Sequence, residues 1–137
     1  MAKRRRKIVL VKAKKKTAVA RAVAKPGKGR IVINKKPIET IECKYLVEFL
    51  REPLTIAGEV ADEVDISVNV QGGGRISQLA ASRSAIAKAL VEFTKSDKLK
   101  KEFIEFDRSL LVDDPRRVEP KKPLGKKARR KWQHSKR

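Results

Sequence analysis

The basic residues of this chain are gathered at its two ends, which leaves only the middle able to build a core. Residues 1–17 hold nine Lys and Arg and no acid, and residues 115–137 hold eleven with a single acid, Glu119. The stretch between them, 18–114, carries 16 basic and 15 acidic residues, so nearly all of the net charge of +20 lies in the termini. Like charges at that density repel, and neither end has enough apolar surface to offset the entropy lost on ordering it. The chain therefore reads as a basic N-terminal arm with a short strand (1–17), a globular core (18–114) and an extended basic C-terminal tail (115–137). Its 137 residues suffice for one domain of modest size and not for two.

Hydrophobic periodicity supplies the elements. Ile8–Val11 reads as a short strand, cut off by the lysines at 14–16. Thr17–Ala24 alternates Val19 and Val23 against Ala18, Ala20, Ala22 and Ala24. Pro26 and two glycines make 25–29 a turn. Arg30–Asn34 then returns, so a β-hairpin with a basic tip at Lys28 is expected, and Asn34–Pro37 is a further turn. From Thr40 the period lengthens to about 3.6, with Ile41, Tyr45, Leu46, Phe49 and Leu50 on one face. Pro53 should stop that helix, with a short helical segment around 54–58 behind it.

Val64, Ile66, Val68 and Val70 alternate against Asp65, Ser67, Asn69 and Gln71, a strand with one apolar and one polar face. After Gly72–Gly74 a long helix is predicted from about Ile76 to Thr94. Leu79, Ala80, Ile86, Ala87, Leu90 and Val91 cluster around Ile76, while Gln78, Ala81, Ala85 and Ala89 line the opposite side. Arg83 falls inside the apolar arc, where an unpaired guanidinium is costly. It is expected to reach RNA or to pair with a polar group beneath it. A last helix (97–106) presents Leu99, Phe103, Ile104 and Phe106, and Leu110–Val112 reads as a closing strand. The fold class that follows is α+β: a two-layer α/β sandwich, a small mixed sheet with helices on one face, and extended basic arms at both termini.

Several function classes drop out on chemistry. The sole histidine, His134, sits three residues from the C-terminus, and the acid pairs Asp62/Glu63 and Asp113/Asp114 fall at element ends. No Cys/His cluster has metal-ligand spacing, so neither enzyme, metal site nor cofactor is expected. The one cysteine, Cys43, excludes an internal disulfide framework and is expected to be buried. The start MAKRRRKIVLVK opens like a secretory signal, but IVLV is too short for its apolar stretch and no small-residue cleavage site follows. No apolar run reaches the length of a membrane span, and the C-terminal arm offers a bilayer surface only Leu124 and Trp132.

Nucleic acid is the expected partner, because a charge of this size attracts phosphate backbones at long range. Gly72–Gly74 lacks the spacing of a nucleotide-binding loop. It still places side-chain-free residues at a helix N-terminus beside Arg75, where amides and dipole favour a phosphate. The tail could neutralise phosphates, and Trp132 could stack on an unpaired base. Its prolines and Gly125 favour an extended path, which would span about 75 Å. Basic arms alone would equally allow a DNA-compacting protein.

Three stretches narrow that choice: KKKTAVARAVAKPGKGRIVIN (14–34), GGGRISQLAASRSAIAKAL (72–90) and DPRRVEPKKPLGKKARRKWQHSKR (114–137). Together they resemble the family of small ribosomal subunit protein nine, in a form closer to the archaeal than to the bacterial pattern. Ser77–Ala80 and Trp132–His134 are where the chain departs from the bacterial one. The resemblance implies a non-enzymatic, two-layer α/β protein with a left-handed crossover, working in translation in the cytoplasmic ribosome. Its implied partners are small-subunit ribosomal RNA, neighbouring proteins of the ribosomal head, and transfer RNA in the peptidyl site. The expected ribosomal RNA contacts are Lys14, Lys15, Lys16, Lys28, Gly72, Gly73, Gly74, Arg75, Arg83, Lys121, Lys122, Lys126, Lys127, Arg129, Arg130 and Lys131. Ser135, Lys136 and Arg137 are the expected transfer RNA contacts.

Overall fold

Alanines set how closely the two layers of this molecule approach. The structure, a computed structural model, describes residues 8–41, 43–133 and 135. Strands β1 (Val9–Lys15) and β2 (Ala18–Pro26) form an antiparallel hairpin, closed by a two-residue turn in which Lys16 adopts a φ of 54°. Their inward residues include Ala13, Ala18, Ala20, Ala22 and Ala24, all fully buried. Helix α3 (Arg75–Thr94) lies across them and brings Ala81, Ala85 and Ala89, equally buried. Small side chains on both surfaces let the helix sit close to the sheet.

The sheet order is β1-β2-β5-β3-β4, with β3 at Ile31–Ile33, β4 at Lys36–Pro37 and β5 at Val64–Gln71. Two expectations change here. The lysines at 14–16 do not end the first strand, because alternation sends Val9 and Ala13 into the core and Lys12 and Lys14 to the other face. The sheet thus takes in residues 9–15 of the segment read as an arm. Nor do β2 and β3 form a hairpin, since β5 lies between them. It pairs with β2 from Val19↔Gln71 to Pro26↔Val64, a longer ladder than three-residue β3 could offer. The loop at 27–30 steps over the start of β5: Asp65 Oδ1 accepts from the Lys28 and Arg30 amides, both at 2.9 Å. Those two amides hold the Asp65 carboxyl below its ordinary value.

Strand β3 then runs parallel to β5, and the chain between them passes through α1 (Lys44–Ala57) and the single turn α2 (Glu59–Asp62). Asn34 and Lys35, at φ 48° and 67°, form a primed turn from β3 into β4. Pro53 does not stop α1. It lies inside the helix, buried, where packing of α1 on α3 holds the helix together despite the missing amide donor. Cys43 precedes α1 and is exposed, contrary to expectation.

Helix α3 is enclosed by the sheet on one side and by α1 and α4 (Asp97–Phe106) on the other. That explains why its alanine face carries no charge. Ile76, expected at the centre of the apolar arc, is exposed in the first turn, while Ile86 and Leu90 are fully buried. On α4 only Leu99 and Phe103 enter the core, and Ile104 and Phe106 are exposed. Residues 110–112 add no strand: Arg108–Leu110 is a short 3-10 turn that buries Leu110. Side chains cover the β1 edge instead, with Lys88 Nζ donating to the Lys12 carbonyl and the Lys14 amide donating to Asp113 Oδ1, each at 3.3 Å. Among the described residues no helix is long and apolar enough to cross a membrane.

Candidate nucleic-acid interface

The turn between β1 and β2 and the glycine run after β5 meet at one end of the sheet. Gly72 and Gly73 have φ values of 77° and 68°, a region that side chains disfavour. A Cβ on Gly72 would lie 2.6 Å from the Thr17 carbonyl oxygen, so only glycine lets the two turns touch. Gly74 caps α3 without a side-chain hydrogen bond, leaving first-turn amides to face outward, and Gln78 Nε2 donates to the Gly72 carbonyl at 3.1 Å. Lys14–Lys16 and Gly72–Arg75 are therefore brought together, whereas Lys28 sits on the loop over the opposite end of β5.

The same hairpin end receives the root of the C-terminal tail. Asp114 binds Lys15 Nζ and takes Arg116 in a fork, with Nε at 2.9 Å and Nη2 at 2.6 Å from Oδ2. Hydrogen bonds from Arg116 first, and then Lys15, hold the Asp114 carboxyl well below the usual range, while Asp114 raises Arg116. Asp113 bridges Lys88 Nζ at 2.6 Å and the Lys14 amide, and Arg117 donates to the Lys16 carbonyl. Two acids thus anchor a basic tail to a basic strand that would otherwise repel it. This fixes where the tail leaves the core.

Arg83 takes the inward of its two expected roles. Its Nη2 meets Glu52 Oε2 at 2.5 Å as an ion pair off hydrogen-bond geometry, its Nη1 donates to Asp107 Oδ2 at 3.0 Å, and its guanidinium lies 4.5 Å from the Phe49 ring centre. The side chain is only 9% exposed. A guanidinium held on two carboxylates and a ring, with its Nε buried and without a hydrogen-bond partner, is a clamp joining α1, α3 and Asp107 and turns inward from the RNA contact expected at Arg83. Burial works against the Asp107 charge, but the Ser109 hydroxyl and amide and Arg83 outweigh it, and its carboxyl stays below the ordinary value.

The open face of the sheet holds residues that sequence reading missed. The register lines up Lys12, Arg21 and Asn69 in one row, and Lys14, Val19 and Gln71 in the next. A shallow notch there is lined by Val19, Arg21, Asn69, Gln71 and Gly72. The only acid on this face of β1, β2 and β5 is Asp65, occupied at the far end. Alternation already put Arg21 opposite the alanines and Asn69 opposite the valines. Bringing them side by side required the pairing of strands almost fifty residues apart.

The tail is not uniformly extended. Gly125 and Lys131 pair as an isolated antiparallel bridge, and the Lys126 and Lys127 amides donate to the Arg130 carbonyl at 2.8 and 3.3 Å. Backbone bonds thus close 125–131 into a loop with Lys126, Lys127, Arg129, Arg130 and Lys131 all exposed. Glu119 ties it upstream, binding Arg129 Nε at 2.9 Å and Lys122 Nζ at 3.9 Å. Lys126 Nζ lies 4.9 Å from the Trp132 ring centre. Lys121 is exposed, as is Ser135; His134, Lys136 and Arg137 lie outside the described residues.

An α+β domain with a basic open sheet face, a glycine-capped helix start and a basic tail defines a nucleic-acid-binding protein. Among the described residues no group of His, Cys, Asp and Glu could hold a metal ion. The family of ribosomal protein S9/S16 matches residues 13–137. The small ribosomal subunit protein uS9 of Methanococcus maripaludis strain C5 is 50% identical over 117 residues, 85% of this chain and 87% of that protein. Those of Methanococcus vannielii (48% over 128 residues, 90% and 96%) and Desulfurococcus amylolyticus (51% over 129 residues, 94% and 92%) are similarly close. The chain belongs to the ribosomal protein S9/S16 family. It is a ribosomal protein that serves translation, and not an enzyme.

Proposed function

We propose that this chain is a structural constituent of the small ribosomal subunit, placed in its head among neighbouring proteins, and that its C-terminal tip reaches the transfer RNA in the peptidyl site. Ribosomal RNA is bound through Lys14, Lys15, Lys16 and Lys28, through Gly72–Gly74 with Arg75, and through the basic side chains of 121–131. Lys12, Arg21, Asn69 and Gln71 of the open sheet face join that set, and Arg83 leaves it. The names of the relatives support the small subunit as the place of assembly. The single observation that carries the reading is the position of the charge: a nearly neutral domain anchors, at Asp113 and Asp114, a tail that holds eleven of the basic residues.

Lys136 and Arg137 are separated from Lys131 by four positions without Lys or Arg, which makes them a separate charged tip. A tip of this kind reads phosphates and not bases, so it should act on every transfer RNA alike. The test is to reconstitute small subunits with a chain lacking Ser135–Arg137. Incorporation should be normal, and peptidyl-site transfer RNA binding should weaken by about 1 kcal/mol or somewhat more, towards the scale of a charged hydrogen bond. Normal transfer RNA dissociation would sink the tip reading, and failed incorporation would reassign the tip to assembly.

A further inference from the structure

We infer that the loop 125–131 is a preformed binding element for consecutive phosphates of an RNA strand, closed by its own backbone before RNA arrives. The inference rests on the proposal that the tail binds ribosomal RNA, and adds that its shape, not only its charge, sets the affinity.

Five of the six residues from Lys126 to Lys131 are basic, and together they would drive a free chain open. Several features oppose that repulsion. The Lys126 and Lys127 amides converge on one carbonyl, that of Arg130, so the backbone doubles back between them. Gly125 faces Lys131 across the bridge and is buried although every charged side chain of the loop is exposed. Leu124, at φ 60°, supplies the left-handed residue that starts the turn. Glu119, the only acid beyond Asp114, binds Arg129 from outside, and Lys126 rests near the Trp132 ring. The result is a tight turn with cationic side chains directed outward from a fixed frame. Such a frame loses less conformational freedom on binding than an extended tail carrying the same charges. Trp132 also has a partner in Lys126, so its first role is to brace the loop and not to await a base.

Gly125 gives a test that leaves charge untouched. A Cβ there would lie 2.9 Å from the Arg130 carbonyl oxygen and 3.2 Å from that of Lys127, both backbone atoms that cannot swing away. The glycine is not at positive φ, so alanine brings no local backbone penalty and acts only by prising the bridge apart.

The experiment measures binding of full-length chain to transcribed small-subunit ribosomal RNA across a salt series, with thermal unfolding followed in parallel. Gly125→Ala should weaken binding about three- to tenfold at every salt concentration, with the salt slope and core melting unchanged. Lys127→Ala with Arg130→Ala should weaken binding and also flatten the slope. Unchanged affinity in Gly125→Ala, with a lower slope in the double variant, would overturn the preformed loop while leaving RNA binding by the tail intact. No change in either would overturn the RNA-binding reading of the loop itself.

Discussion

Arginine does opposite work in the core and in the tail. Arg83 lies between Glu52, Asp107 and the Phe49 ring, its charge consumed by the fold. Arg130, with its side chain outward on a loop that its own carbonyl helps close, keeps its charge for a partner. The core neutralises cations with acids, and residues 18–114 carry almost equal numbers of each. The tail has one acid, Glu119, and it braces two of the cations without cancelling the rest. The difference teaches that stability and RNA affinity are assigned to different residues, and that each can be changed without the other.

The largest separation should come from Phe103→Ala, which empties a fully buried site and should cost about 3–5 kcal/mol of unfolding free energy. Chemical denaturation measures that loss, and the salt slope of RNA binding by the folded fraction should not move. Arg83→Met comes next, at about 2 kcal/mol. That is less than for a fully buried pair, because the Glu52 and Asp107 side chains are each 34% exposed. A lower salt slope in that variant would place Arg83 on RNA after all and break the comparison.

Acid should act on the core clamp in a defined direction. The Asp107 carboxyl is held below its ordinary value, so its contribution is complete above about pH 5 and is lost as pH falls from there. Asp107→Asn should therefore lower stability near neutral pH by about 1 kcal/mol and flatten the fall below about pH 5. An equally steep acid fall in the variant would remove Asp107 from the clamp. The smallest stability effect belongs to Arg129→Ala, within about 0.5 kcal/mol, because its ion pair with Glu119 is exposed. The same variant should reduce the RNA salt slope by about 0.7–0.9 if it covers one phosphate.

Much of the core was legible wherever period and burial coincide. The alternation of 64–70 marks β5, the alanines of 18–24 mark the inner side of β2, and the bounds of α3 and α4 follow from their patterns. What failed was whatever depends on partners distant in sequence. The insertion of β5 between β2 and β3 leaves no local trace, and neither does the support that carries α1 through Pro53. Arg83 showed itself as an anomaly in an apolar arc, but its acids lie 31 and 24 residues away. The glycine run and the basic tail were visible as composition, whereas the loop closure at Gly125 depends on a backbone contact that composition does not encode.

The division of labour is tested most directly by ending the chain after Arg117. That keeps the anchor at Asp113 and Asp114 and removes nine basic residues with Glu119. Thermal unfolding should match that of the full chain, while the slope of log binding constant against log salt for small-subunit ribosomal RNA should become shallower by several units. An unchanged slope, or a core that no longer melts cooperatively, would contradict the assignment of affinity to the tail and of stability to the domain.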